Sequence, residues 1–323
     1  AYADLIKTFK LPEFKELRGI IHCFSGDARE AKVLTDLGFL LGIGGVITYK
    51  NTTLFQDIKD IPLSHIVLET DAPYLAPTPH RGKQNTPAQI PTIVRAMAAE
   101  RGEDLAEICS ALSINTLKNN QQKVVIRQYF YGDKDGAQIF NAFINGFNKA
   151  GWKTNKQKYW TEVSSANGKV IIYANAPLDE KNELDLKAQD SLSSFLLAHE
   201  ITPSIFVHRG HSYYANHTIA GIDSSAKLVL LGSCGGYQKL AAVLNRAPQT
   251  QVISSKQIGK GVINAALLNQ IAQTLEKGQD LVWPYIWKQM NEQLKTTAKS
   301  SFQDYIPPYK NIGLLLLKAF NTK

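Results

Sequence analysis

The sequence predicts an α/β chain in two parts, on three observations. Its 323 residues exceed the roughly 100 to 200 of a single typical domain. Short apolar runs rich in Ile, Leu and Val recur between amphipathic stretches, the pattern of strands buried on both faces of a parallel sheet. That alternation breaks once, at Asn119-Asn120-Gln121-Gln122, and then begins again. The expected parts are therefore residues 1–120 and 121–323.

In the first part the elements read in order as strand Gly19–Phe24, helix Ala28–Leu37, strand Phe39–Ile43, helix Leu54–Ile58, strand Ile66–Glu69 and helix Pro87–Glu100, which makes three βα units. Pro73, Pro77, Pro79, Gly82 and Pro87 mark a long ordered loop after the third strand. A helical pattern then runs through Leu105–Leu117 to the boundary. In the second part Val124–Tyr131 reads as a strand. It precedes a helix at Gly136–Lys149, where Phe140, Phe143, Ile144 and Phe147 fall on one face. Further strands are expected at Lys169–Ala174, Ser204–His208, Lys227–Leu231 and Gln251–Ser254, with helices near Leu184–His199, Lys239–Asn245 and Gly261–Leu275. This alternation predicts a doubly wound sheet with its site at the carboxyl ends of the strands.

Composition narrows the class. With 44% hydrophobic and 20% charged residues, 22 Gly and 13 Pro, the chain is globular and neither collagen-like nor broadly disordered. No apolar run approaches the roughly 18 residues of a membrane helix; one candidate, Gly313–Leu317, stops at Lys318. No membrane partner is expected. Cys23, Cys109 and Cys234 are too few and too dispersed for a disulfide framework, which favours a reducing, cytoplasmic setting. Ala1–Phe14 lacks a basic segment followed by an apolar one and has no Met, so the chain is expected to begin inside a longer product. The net charge of +8 is unevenly placed. Residues 1–120 hold 13 of the 36 basic and 14 of the 28 acidic residues, leaving 23 basic and 14 acidic residues in the second part. Scattered solvated lysines account for such an excess more readily than a nucleic-acid face does.

Two constellations carry chemistry. In Gly19-Ile20-Ile21-His22-Cys23 and in Ile66-Val67-Leu68-Glu69-Thr70-Asp71, an imidazole and two carboxylates stand at the ends of strands expected to be buried. These N and O donors suit Zn²⁺, Mn²⁺ or Mg²⁺ if they converge, within about 8 Å for a bridged site. A core histidine and a helix-capping aspartate are the plainer alternative. The segments GIIHCFSG, GFLLGIGGVITYKN, IPLSHIVLETDAPYLAPTPHRGKQNTPAQIP and RGEDLAEICSALSINT resemble the C-terminal portion of TatD-family metal-dependent hydrolases, (β/α)₈ barrels with deoxyribonuclease activity. The resemblance covers about Gly19–Leu117. It implies a partial (β/α) barrel, the last three βα units, with His22 and Asp71 as metal ligands and Asp71 also positioning or deprotonating the attacking water. It further implies His80, Arg81, Lys83 and Asn85 as phosphate-binding donors in the mouth loop, DNA as substrate and a divalent metal (Mg, Mn or Zn) as cofactor. Such barrels need about 250 residues. The family's remaining ligands would lie upstream of Ala1, so the two present are expected to hold metal weakly and to hydrolyse DNA feebly or not at all. A partner or missing segment is expected to cover the open edges of the sheet.

The second constellation lies in Ser204-Ile205-Phe206-Val207-His208-Arg209-Gly210-His211 and Lys227-Leu228-Val229-Leu230-Leu231-Gly232-Ser233-Cys234-Gly235-Gly236. If the two strands are parallel neighbours, His211 and Cys234 emerge side by side, roughly 3 to 6 Å apart, as a base and a thiol nucleophile. Amides of the surrounding glycines, Gly210 and Gly235 above all, would then hold an oxyanion. A buried structural cysteine is the alternative. The motif pair over about Lys123–Leu275 resembles the clan CD cysteine peptidases (caspase, gingipain, separase and CHAT-type relatives). That resemblance implies a caspase-like α/β domain with His211 as base, Cys234 as nucleophile and a peptide as substrate. A third outcome is a non-catalytic interaction protein, should both sites be incomplete.

Overall fold

The three apolar runs of the first part form Ile20–Ile21 (β1), Leu40–Ile43 (β2) and Ile66–Leu68 (β3), a parallel sheet in the order β1-β2-β3. Register pairs Ile21 with Leu41 and Gly42 with Val67, which brings the carboxyl ends of all three strands to one edge. The computed structural model describes residues 2–62, 65–100, 109–179, 182–311 and 314. Two compact units divide between residues 105 and 106.

In the first unit, the helix Ala28–Asp36 starts where Asp27 accepts from the Glu30 amide and Glu30 accepts from the Asp27 amide. This reciprocal capping box satisfies two of the donors that a helix start leaves orphaned. Ala31 and Leu34 face inward and join Phe24, Leu41, Ile43, Ile58, Ile93 and Met97 in the core. The first strand is shorter than expected, and Pro87–Gln89 forms a 3₁₀ turn before the helix Ile90–Glu100. No barrel closes among the described residues.

The expected helix at Leu105–Leu117 falls partly outside the described residues, as do all of the RGEDLAEI segment and most of the run Gly313–Leu317. Its described portion needs correction. Ala111–Leu112 is a strand (β4), and only Ile114–Leu117 is helical, started by the Ser113 hydroxyl. The reason is tertiary: β4 finds an antiparallel partner 169 positions along the chain, Leu112 pairing with Leu281. Leu112 and Leu117 pack into the second unit's core.

The second unit is built on an eight-stranded sheet. Its strands are Val124–Phe130 (β5), Lys153–Lys156 (β6), Trp160–Ser164 (β7), Val170–Asn175 (β8), Ile205–Arg209 (β9), Leu228–Leu231 (β10), Gln251–Ser255 (β11) and, after Leu281–Val282 (β12, the partner of β4), Tyr305–Ile306 (β13). The sheet order is β13-β11-β10-β9-β5-β8-β7-β6. Five parallel strands, β8-β5-β9-β10-β11, form its centre, and antiparallel strands close both sides. Alternate residues of β5 separate to the two faces. Val124, Ile126 and Phe130 join the larger core with the helices Gly136–Lys149, Gly261–Glu276 and Trp283–Gln293, whereas Val125 faces Leu192 and Leu196 of the helix Leu184–Ala198. The chain goes from β5 outward to β8 and then returns across β5 to β9. The winding therefore reverses between β5 and β9, the place in an open α/β sheet where sites are expected at the carboxyl ends.

Candidate functional sites at two strand edges

At the first edge, His22 follows β1 while Glu69 and Asp71 follow β3. The His22 Nε2 lies 3.2 Å from Glu69 Oε2 and 4.0 Å from Asp71 Oδ1. The side chains are graded in exposure, with His22 62% exposed, Asp71 33% and Glu69 14%. Gly42, at the middle of β2, makes the room: a Cβ there would stand 2.5 Å from Glu69 Oε2. Glu69 also accepts the Cys23 amide hydrogen, which anchors its carboxylate to the β1 edge. Cys23 and Asp71 both have positive φ, 50° and 54°, a region that costs non-glycine residues energy and is found preferentially at functional turns. Burial, followed by the charges of Asp71 and Glu69, raises the Cys23 thiol above its ordinary range, so it stays protonated.

The donors fit a divalent cation in type, since imidazole and carboxylate suit Zn²⁺, Mn²⁺ and Mg²⁺. In number they fall short. Among the described residues no group of three or more His, Cys, Asp or Glu side chains is disposed to hold a metal ion.

The mouth-loop residues divide. Arg81 is exposed and lies over the Tyr49 ring, 3.9 Å from its centroid, beside a hollow of about 440 Å³ that also takes in Lys50 and Asn51. Lys83 is exposed and His80 half-buried. Asn85 behaves differently from expectation. It is buried, its amide nitrogen donates to the Thr70 and Tyr74 carbonyls, and its side-chain oxygen accepts from the Thr86 amide. It clamps the loop that carries Asp71 and leaves no amide hydrogen for a phosphate.

At the second edge, β9 and β10 are parallel neighbours, Leu231 opposite His208, so His211 and Cys234 leave adjacent strand ends. The ionic partner of His211 is Asp133, just past β5, with Nε2 3.9 Å from Oδ2. Asp133 has only 6% of its side chain exposed and His211 has 51%. The pair sits at the reversal point between β5 and β9. Among the described residues no hydrogen bond joins His211 to the exposed Cys234 thiol. Sequence reading missed Asp133, although the signal it used for His211 and Cys234 was there: a polar side chain immediately after a buried apolar strand.

Buried polar groups fix this edge. His208 Nε2 is 3.2 Å from the His211 carbonyl, which can only accept, so Nε2 carries the hydrogen. Nδ1 then accepts from Thr218 Oγ1 at 2.7 Å, and the Tyr131 hydroxyl, 2.7 Å from the same oxygen, donates to it. Burial lowers the His208 pKa to about 4, which keeps that ring neutral. On the Cys234 side, Asn264 donates to the Gly232 carbonyl and Ser255 to the Ser233 carbonyl. Both glycines expected at an oxyanion site have structural duties. The Gly235 amide donates to the Gln257 carbonyl at 2.7 Å, so it is not free for an oxyanion in this arrangement. Gly210 lies against Tyr131, where a Cβ would come within 2.5 Å of the ring.

Comparison with known proteins bears on the first edge. Residues 1–119 match the family model described as TatD related DNase. An uncharacterized metal-dependent hydrolase of Escherichia coli K12, YcfH, is 38% identical over 112 residues, 33% of this chain and 42% of its own length. Bacillus subtilis YabD, with the same description, is 33% identical over 116 residues, covering 36% and 46%. The crystal structure of YjjV, a TatD homologue from E. coli K12, matches at 32% identity over 30% of this chain and 36% of that one, with a TM-score of 0.27. The chain spans less than half the length of these relatives.

Proposed function

We propose that residues 1–119 contribute part of a metal-dependent hydrolase site of the TatD type, acting on phosphoester bonds of DNA. The convergence of His22 and Asp71, 4.0 Å apart at one strand edge, carries this reading. It is supported by relatives described as metal-dependent hydrolases. His22 and Asp71 would hold the cation, and a bound divalent metal supplies an acidified water and charge stabilisation. The chain's own residues set the rest. Glu69 adds a negative charge beside His22 Nε2, Asn85 holds the turn after Asp71, and Arg81 and Lys83 offer exposed cations to a phosphate. With two donors the site binds metal weakly, and hydrolysis by this chain alone is feeble. Titration with Mn²⁺ followed by water-proton relaxation tests the site: weak binding lost in both His22→Ala and Asp71→Ala is expected, and binding unchanged in both variants would refute it.

The Asp133–His211 contact favours a second reading, peptide-bond cleavage through Cys234 in a caspase-like domain. A nearly buried carboxylate 3.9 Å from an imidazole at a sheet's reversal point is placed to orient a general base once the contact tightens. The base would take the Cys234 proton as sulfur attacks a carbonyl carbon and give it to the leaving amine as the C–N bond breaks, leaving a thioester that water then hydrolyses to free the thiol. Alkylation of Cys234 by iodoacetamide across pH tests this. Alkylation faster than in His211→Ala and Asp133→Asn is expected; identical slow profiles in all three proteins would leave Cys234 a structural residue.

A further inference from the structure

At the second strand edge, exposed apolar side chains flank Cys234 on both sides and take no part in the thiol chemistry itself. Across that edge the strands run in the order β9, β10, β11. On the β9 side Tyr213 is 64% exposed and lies flat on the His211 ring, with centroids 5.4 Å and planes 6° apart. On the β11 side Ile258 is 55% exposed and Val262 54%. Cys234, itself exposed, leaves the strand between them.

The β11 side is pinned beside the thiol. The Gly235 amide, one residue after Cys234, donates at 2.7 Å to the carbonyl of Gln257, one residue before Ile258. One residue after Ile258, Gly259 packs so closely that a Cβ there would overlap the Gly232 carbonyl oxygen. Asn264 donates to that same carbonyl and so ties down the start of the helix that carries Val262. Ile263 supplies the core contact of this first turn, while Val262 stays in water. Isolated apolar residues on a surface are ordinary, but these are fixed next to a thiol, and a ligand laid over them would recover roughly 25 cal/mol per Å² of apolar area. Charge narrows what that ligand is. Lys256 and Lys260 bracket Ile258, are exposed and form no ion pair among the described residues, so a cationic side chain would be repelled. The side of the bond also follows. His211 gives its proton to the leaving amine, so that amine lies toward β9 and the residue supplying the scissile carbonyl lies toward β11.

We propose, on the reading of Cys234 as a nucleophile served by His211, that this site takes peptides in which the residue supplying the scissile carbonyl is bulky and aliphatic, its side chain seated on Ile258 and Val262. Alkylation of Cys234 in the full chain by acetylated aminoacyl chloromethyl ketones, in which sulfur displaces chloride, tests it. Leucyl, glycyl, aspartyl and lysyl reagents would be compared, each rate divided by that of glutathione with the same reagent. The leucyl reagent is expected to react about tenfold faster than the glycyl one, the effect of burying one aliphatic side chain, and faster than both charged reagents. Substituting both exposed residues, Ile258→Ser with Val262→Ser, should bring the leucyl-to-glycyl ratio below about twofold. Equal leucyl and glycyl rates, a charged reagent faster than the leucyl one, or a leucyl preference that survives the double substitution would each overturn the proposal while leaving the nucleophile in place. Rates identical in wild type and His211→Ala for every reagent would instead remove the nucleophile, and the proposal with it.

Discussion

The two strand edges use one device with different support. In both, polar side chains follow apolar parallel strands and meet at the carboxyl side: His22 with Asp71, and His211 with Asp133. Among the described residues of the first unit the strands number three, β1 has two residues, and Ile20 within it is 54% exposed. In the second, the partner strands are interior members of an eight-stranded sheet, and the carboxylate of the pair is almost wholly buried. A group whose position comes from packing on several sides is held without cost at the moment of reaction, whereas one on a narrow sheet depends on neighbours beyond it. The comparison teaches that the same sequence signal, a polar residue after an apolar run, has a value set by how much sheet surrounds it.

Substitutions can break this contrast. The largest effect is expected at Phe130→Ala in β5, whose side chain is fully buried against Phe140 and Phe143. The loss should be about 3–5 kcal/mol. Denaturant unfolding monitored by Trp fluorescence would show it, and a loss below about 1 kcal/mol would mean that the central strand is not the core of the second unit.

A second effect is confined to acid. His208 has a folded pKa of about 4 against 6.5 unfolded, because burial disfavours the charged ring. Between those values the unfolded chain binds the proton and the folded chain does not, so stability falls as pH drops through that window and is unaffected above it. The upper limit is about 3 kcal/mol at about 1.4 kcal/mol per pH unit. His208→Gln should flatten this part of the pH–stability curve; an unchanged slope would assign the acid sensitivity elsewhere.

Asn85→Ala sharpens the comparison from the other side. It leaves the Thr70 and Tyr74 carbonyls without their buried donor, a cost of about 1–3 kcal/mol confined to the first unit. Limited proteolysis should then cut faster within 71–87, and equal cleavage rates would show that the loop is held by other contacts. The smallest effect is expected at Lys32→Ala. Its i,i+4 bond to Asp36 is 2.9 Å long and exposed, so a loss under about 0.5 kcal/mol should be measured. A larger loss would show that the helix Ala28–Asp36 is more marginal than its capping box suggests.

Much of this architecture is legible in the residues. Phe140, Phe143, Ile144 and Phe147 mark one face of a helix that spans Gly136–Lys149 as expected, and the apolar runs at Ile66, Val124 and Leu228 all become strands. The hairpin of β6 and β7 was not legible, because Lys153-Thr154-Asn155-Lys156 is exposed throughout and has no apolar alternation to read. Among site residues, the meeting of His22 with Asp71 followed from strand order. The pairing of Asp133 with His211 joins positions 78 apart and requires knowing that β9 lies beside β5. The amides of Asn85 and Gly235 meet carbonyls that the sequence does not reveal, because whether an amide is free depends on what lies opposite it.

By itself the sequence determined where apolar surface must be buried, and therefore which segments are strands and which are amphipathic helices. Hydrophobic periodicity is a local property, and so is the Asp27–Glu30 capping box. Tertiary structure decided which strand ends are neighbours. It turned Ala111–Leu112 from an expected helix into a strand paired with Leu281–Val282, and it placed β9 beside β5 rather than beside β8, which precedes it in the chain. The physical reason is that backbone pairing and the docking of polar side chains are satisfied by partners far along the chain, and local pattern carries no information about which distant partner arrives.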